Sequence, residues 1–240
     1  MSDQCRCHAF SRRRIVAAAG LAPVFASGLV RASLAADAKA APAKAPVAPQ
    51  EAKKRLVDGN ARYAHGDHLR LDHSARRESQ TRSQSPFAIV LGCADSRVPP
   101  EVVFDQGLGD IFTVRVAGNI VDDVIAGSIE YAVAVLGAQL IVVLGHERCG
   151  AVAAALDAVK TGKLPDPHIA SLVAAIKPAA ESVRSAAGDP LDNAIRANVN
   201  AVVAQLKGSA PLLKPAVDAG KLQVIGAEYM LASGLVTFLS

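Results

Sequence analysis

Four short apolar runs constrain this chain more than any other feature: FAIVLG (87–92), IFTVRVAG (111–118), QLIVVLG (139–145) and KLQVIGAEY (221–229). A strand with one wet face alternates apolar and polar residues. Runs with little alternation belong to strands covered on both faces. Between them lie stretches with apolar residues at helical spacing. DDVIAGSIEYAVAVLG (122–137) opens on two aspartates, which favour a helix start, and CGAVAAALDAVKTG (149–162) stops at a glycine. Two more helical stretches, 168–187 and 190–207, are separated by Gly188-Asp189-Pro190. Strands alternating with helices predict an α/β fold, a mostly parallel central sheet flanked by helices. VTFL (236–239) reads as a short last strand, and QEAKKRLVDGNARYAHG (50–66) as an N-terminal helix. No internal repeat is visible.

Ahead of this domain the composition changes. DAKAAPAKAPVAP (37–49) has the Ala/Lys/Pro content of an extended, solvated linker. Residues 1–36 run from a basic region, Ser11-Arg12-Arg13-Arg14, through an Ala/Gly-rich apolar run from Ile15 to Val30, to small residues around Ala32–Ala38. That order is the order of a secretory signal. The paired arginines resemble a twin-arginine signal, a route that resembles one used for proteins exported already folded, often with their metal in place. The apolar run is too short and too weakly apolar for a membrane span. The expectation is a periplasmic or secreted protein with no stable membrane span after cleavage; an amphipathic anchor or a basic tail is the alternative. The charge agrees with this division. The whole chain carries a formal +4, but residues 1–36 hold five arginines against Asp3, and the remainder is neutral. With no basic stripe and no interleaved aromatics, nucleic acid is not an expected partner.

Four cysteines sort themselves accordingly. Cys5 and Cys7 lie inside the signal and receive no function. Cys93 follows the first apolar run in GCADSRVPPE, with Asp95, Ser96 and Arg97 close behind. The third run ends in LGHERCGA, which carries His146 and Cys149. Functional groups of parallel sheets gather beyond the carboxyl ends of strands. If the first and third strands are neighbours, Cys93, His146 and Cys149 converge. Cys149 also stands at a helix start, where the dipole favours a thiolate. Two thiolates and an imidazole suit zinc, and three protein ligands leave a fourth position for water or substrate. Two other readings stand beside this one. The cysteines could form a disulfide with His146 as a hydrogen-bonded core histidine, or Cys93 and His146 could be a nucleophile and its base. His65, His68 and His73 read as a solvated polar stretch rather than a metal cluster.

CADSRVPPE followed about fifty positions later by HERCGA resembles the β-class carbonic anhydrases. EAKKRLVDGNARYAHG, FDQGLGDIFTVRVAGN, NVNAVVAQL and GKLQVIGAEYMLASGLVTFL extend the resemblance over roughly residues 50–240. It implies a catalytic domain over 50–240 with sheet order 2-1-3-4 and the short fifth strand at the edge. It implies one zinc per chain on Cys93, His146 and Cys149. It also implies reversible hydration of carbon dioxide to bicarbonate, by a zinc-activated hydroxide assisted by an Asp95–Arg97 dyad. Ser96 is expected as a turn residue or nearby donor, Gln106 as a donor to a substrate oxygen, and Gly150 as the glycine that lets a helix start approach the metal. The loop DQGLG differs in length from the form associated with the Gln106 role. A homodimer or higher even oligomer is implied as well. Some family members have an inhibitory bicarbonate site that needs a tryptophan; this chain has none, so an open site at neutral pH is expected. Alternatives are a carbon disulfide or carbonyl sulfide hydrolase on the same fold, a Cys93-dependent thiol or redox protein, and a non-catalytic zinc module.

Overall fold

The apolar runs become strands because helices cover them on both sides. The computed structural model describes residues 45–239; the expected signal over 1–36 and most of the 37–49 linker lie outside the described residues. The strands are β1 (Ala88–Gly92), β2 (Ile111–Arg115), β3 (Leu140–His146), β4 (Gln223–Tyr229) and β5 (Val236–Phe238). The helices are α1 (Pro49–His65), α2 (His73–Ser79), α3 (Pro100–Val103), α4 (Asp123–Ala134), α5 (Gly150–Thr161), α6 (Pro167–Ser182), α7 (Pro190–Gly208) and α8 (Leu213–Asp218). The sheet order is β2-β1-β3-β4-β5, with the first four strands parallel and β5 antiparallel to β4. The predicted order and edge strand are therefore observed. Every residue of β1 and β3, two of the three inner strands, is buried.

Cover comes from three apolar clusters. On one face α4, α7 and α8 bring Ile129, Val199, Val202, Leu206 and Leu213 onto Ile89, Leu91, Ile141 and Val143. On the other, α1 and the α3 region bring Leu56, Val103 and Phe104 onto Val90, Val142 and Leu144. A third cluster joins α5 and α6 to the start of α7 and includes Cys93 and Cys149. Close approach of α7 depends on two glycines. A Cβ at Gly145 would stand 2.6 Å from Val199 Cγ2, and one at Gly226 2.7 Å from Val199 Cγ1.

Register places the site. Gly92 of β1 lies opposite Leu144 of β3, so the residues following β1 meet the carboxyl end of β3. Of the unpredicted short helices, α3 and α8 add to the cover of the sheet, and α2 lies outside it. α2 has no buried residue and starts on Asp72, whose side chain accepts from Ser74 N and Ala75 N. The fourth predicted helix stretch, 168–187, ends at Ser182.

Asn60 fastens α1 to the rest of the domain. Its Nδ2 donates to Val103 O (3.0 Å) and Gly234 O (2.8 Å), and its Oδ1 accepts from Val236 N (2.8 Å). Asn60→Ala strands two carbonyls and one N–H. Unfolding free energy by urea titration is expected to fall by about 3 kcal/mol. A loss below about 1 kcal/mol would show that water replaces the amide.

Glu228 makes stability depend on pH. It is fully buried on β4, with Arg196 Nε of α7 2.9 Å from its Oε2 but off the direction of a hydrogen bond. Burial pushes this carboxyl from 4.5 up to about 7, with Asp192 adding to the rise and Arg196 opposing it. The folded chain therefore holds the proton more tightly than the unfolded chain does. Its stabilisation is complete below pH 4.5 and is lost as pH rises through about 7. Glu228→Gln removes this slope. The urea midpoint of the variant, relative to the parent, is expected to rise between about pH 5 and pH 8.

Candidate metal centre

Three side chains from two neighbouring strand ends share one point. Cys93 directly follows β1, His146 is the last residue of β3, and Cys149 caps the start of α5. Their ligand atoms all lie within 4.8 Å of one another, and all three residues are buried. The two sulfurs are 4.0 Å apart and unbridged, so the disulfide alternative does not describe this structure. A tetrahedral ion with sulfur ligands at about 2.3 Å would set them about 3.8 Å apart.

His146 supplies the decisive test of fit. Its Nδ1 is 2.9 Å from Glu147 O, so Nδ1 carries the proton and donates to that carbonyl. Nε2 is left as a lone-pair nitrogen, buried and without a hydrogen-bond partner. An orphaned buried acceptor is costly; a cation beside two thiolates removes that cost. Among the described residues this is the group fit to hold a metal ion, whereas His68 instead lies 3.8 Å from Asp105 and His65 binds Ala61 O.

Electrostatics of the metal-free trio point the same way. A hydrogen bond from the Cys149 thiol lowers Cys93 to about 4, against burial, with further help from His146 and the Gly118 N–H. That same hydrogen bond, together with burial and the Cys93 charge, pushes Cys149 up, while the N–H groups of Val152 and Ala151 oppose the rise. Burial works against protonating His146, but Cys93, the Glu147 carbonyl and Asp95 together raise the imidazole. One thiolate forms readily and the second is resisted, a conflict that a dication resolves.

Asp95 stands at the mouth of the trio. Its Oδ1 accepts from Arg97 N (2.9 Å) and Arg97 Nε (2.9 Å), and its Oδ2 from Arg97 Nη2 (2.7 Å). These bonds hold the carboxyl well below the usual carboxylate range. Oδ2 lies 3.9 Å from His146 Nε2, which puts an ionised carboxylate beside the metal-binding atoms. Arg115, at the end of β2, was not singled out by the sequence. Its Nε donates to Cys93 O (2.9 Å) and its Nη2 to Asp95 O (2.5 Å), so it fixes the path of the loop between them. The available signal was a cation at the carboxyl end of an otherwise apolar run.

The remaining expected residues are placed less tightly. Ser96 is exposed on the same loop. Gln106 directs Nε2 to Phe104 O (2.7 Å) and Arg55 O (3.3 Å), engaging α1 rather than the trio within this chain. Gly150 is the first residue of α5, and a Cβ there would meet nothing within 4 Å.

A family model described as "Carbonic anhydrase" matches residues 88–236, the span that contains every one of these groups. The chain belongs to the β-class carbonic anhydrases. The carbonic anhydrase of Mycolicibacterium smegmatis is 44% identical over 80% of this chain and 94% of that protein. Among solved structures, the Coccomyxa β-carbonic anhydrase in complex with acetazolamide is 27% identical. It aligns over 77% of this chain and 84% of its own, with a TM-score of 0.61. A structure from the report of two tetrameric β-carbonic anhydrases of Sordaria macrospora is 26% identical, with a TM-score of 0.61 over 78% of this chain and 96% of its own. β-Carbonic anhydrases are zinc enzymes, and the donor set of this one, two thiols and an imidazole, fits that ion.

Proposed function

We propose that this β-carbonic anhydrase hydrates carbon dioxide reversibly to bicarbonate and a proton, with Cys93, His146 and Cys149 holding zinc and Asp95 and Arg97 serving the reacting water. The observation that carries this is the meeting of two buried thiols, an orphaned imidazole nitrogen and an ionised carboxylate at one strand-end cluster. Zinc bound there supplies a Lewis acid that brings the ionisation of water down toward neutral pH. Asp95, ionised and acceptor-only, takes a hydrogen bond from the reacting water and turns its lone pair toward carbon dioxide. Arg97 occupies both carboxylate oxygens in the plane of its fork and keeps Asp95 in that orientation. Arg115 holds the backbone that carries both Cys93 and Asp95.

The direct test is zinc content together with stopped-flow carbon dioxide hydration on the purified chain lacking residues 1–36. One zinc per chain and rapid hydration are expected, with carbon disulfide not consumed; a metal-free active enzyme would overturn the reading.

Residues 1–36 act, in this proposal, as a twin-arginine signal, the 37–49 segment as a linker, and 50–240 as the catalytic domain delivered to the periplasm or beyond. The arginine pair and the neutral remainder of the chain support it. Replacing Arg12 and Arg13 together by lysine is expected to leave the protein in the cytoplasm, as read by fractionation. An even oligomer is proposed from the tetrameric fungal relatives, with the mass in solution by light scattering as its check.

A further inference from the structure

One polar side chain interrupts the apolar face of α7. That face is formed by Ala194, Ile195, Val199, Val202, Val203 and Leu206, with Asn198 among them at 2% exposure. A buried amide in an apolar stripe is costly unless it is bonded. Its partner lies 80 residues away, where Nδ2 donates to Gly118 O at 2.8 Å. Gly118 sits in a short 3-10 turn, Ala117–Asn119, that follows β2. Its φ of +74° lies in the left-handed region, and a Cβ there would stand 2.5 Å from Ile176 Cδ1 and 3.2 Å from Ala151 Cβ. The turn is thus shaped for glycine and held by α7. On its other side the Gly118 N–H points at Cys93 Sγ, 3.3 Å away.

We propose that Asn198 is a positioning residue for the metal centre: by anchoring Gly118 O, it holds the Gly118 N–H on the Cys93 sulfur. The proposal rests on Cys93 being a zinc ligand. Two thiolates and a neutral imidazole cancel the charge of a dication, which weakens its pull on bound water. A hydrogen bond to sulfur takes up part of the thiolate charge and returns electrophilicity to the metal. Asn198 touches neither substrate nor metal. It acts through the turn, from a helix whose other buried residues are purely apolar.

A merely structural Asn198 would satisfy one carbonyl and do nothing more. Asn198→Leu, which fits the stripe, and Asn198→Ser, which is too short to reach, separate the two roles. Each is prepared with cobalt(II) replacing zinc, and the sulfur-to-cobalt charge-transfer band is recorded. Loss of the N–H···S bond raises the sulfur lone pair, so the band moves to longer wavelength in both variants. kcat/KM of the zinc forms falls about tenfold, the size typical of lost support to a metal ligand. Val199→Ala serves as the control. It loosens the same helix against the sheet, and the cobalt band is expected to stay where it is in the parent. An unmoved band in both Asn198 variants, or an equal shift in Val199→Ala, overturns the proposal. Should the parent chain hold no zinc and no hydration activity, the metal-site reading itself fails, and that result is visible before any variant is made.

Discussion

Cys93→Ser is expected to yield a folded chain that no longer copurifies with stoichiometric zinc and hydrates carbon dioxide at least about a thousandfold more slowly, because the pKa of water returns from near 7 toward 15.7 without the ion. Serine keeps the size of the side chain and can still accept the Gly118 N–H that now reaches Cys93 Sγ. What it cannot offer is an anion. A buried hydroxyl does not ionise at working pH, whereas Cys93 is lowered to about 4 by its hydrogen bond with Cys149 and by the groups around it. His146 and Cys149 alone leave two ligands, too few for a tetrahedral site that must also keep a position open. Elemental analysis, stopped-flow assay and a thermal melt on the same preparation check the three parts of this expectation. Full zinc occupancy in the variant would remove Cys93 from the ligand set.

Asp95→Asn is the second large effect and differs in kind. The metal is expected to stay, since none of the three ligands changes, while kcat/KM drops by about 10²–10⁴, the range of a positioned proton-handling group. Asparagine preserves the outline but replaces one accepting oxygen with a donor, which then faces the Arg97 fork. The reacting water loses its acceptor and the arginine loses its counter-charge. The pH dependence follows from the sign of the shift. Arg97 holds the Asp95 carboxyl below its ordinary 3.8, so the group stays ionised throughout neutral and mildly acidic solution. Its contribution to stability is intact above pH 3.8 and is lost only as acid carries the pH down through the folded value. A rise of activity with pH between about 6 and 9 would therefore belong to water activated by the zinc that Cys93, His146 and Cys149 would hold, and not to Asp95. A parent profile titrating with the carboxyl in the Asp95→Asn comparison would contradict that assignment.

Much of this architecture could be read in the residues because burial writes itself into composition. The four apolar runs became β1 to β4, with boundaries shifted by no more than a few residues. Both halves of the metal centre were visible because thiols, an imidazole and a carboxylate rarely end buried strands without a reason. α2 was invisible for the opposite cause. HSARRES buries nothing, so its helix depends on the Asp72 cap and local propensity, which leave no periodic stripe. The hydrogen bonds of Arg115, Gly118 and Asn198 were hidden for a third cause. Their meaning lies in a partner 20 to 80 residues away, and spacing along a chain does not encode such pairings. Gln106 was hidden in the same way: within one chain its amide bonds Phe104 O and Arg55 O, and the latter lies 51 residues away.

The two glycines under α7 carry a consequence for how this domain tolerates change. Val199 fills a notch whose walls are the missing side chains of Gly145 and Gly226, and it is the neighbour of Asn198 on the same helix. A methyl added at Gly145 has no free volume and would lever the helix outward, away from the 3-10 turn that lies against the metal ligand. Positions 145, 199 and 226 therefore behave as one volume shared among three residues. A larger side chain at one strand position is tolerable only with a smaller one at 199. Overfilling this notch, unlike emptying it, displaces the helix that carries Asn198.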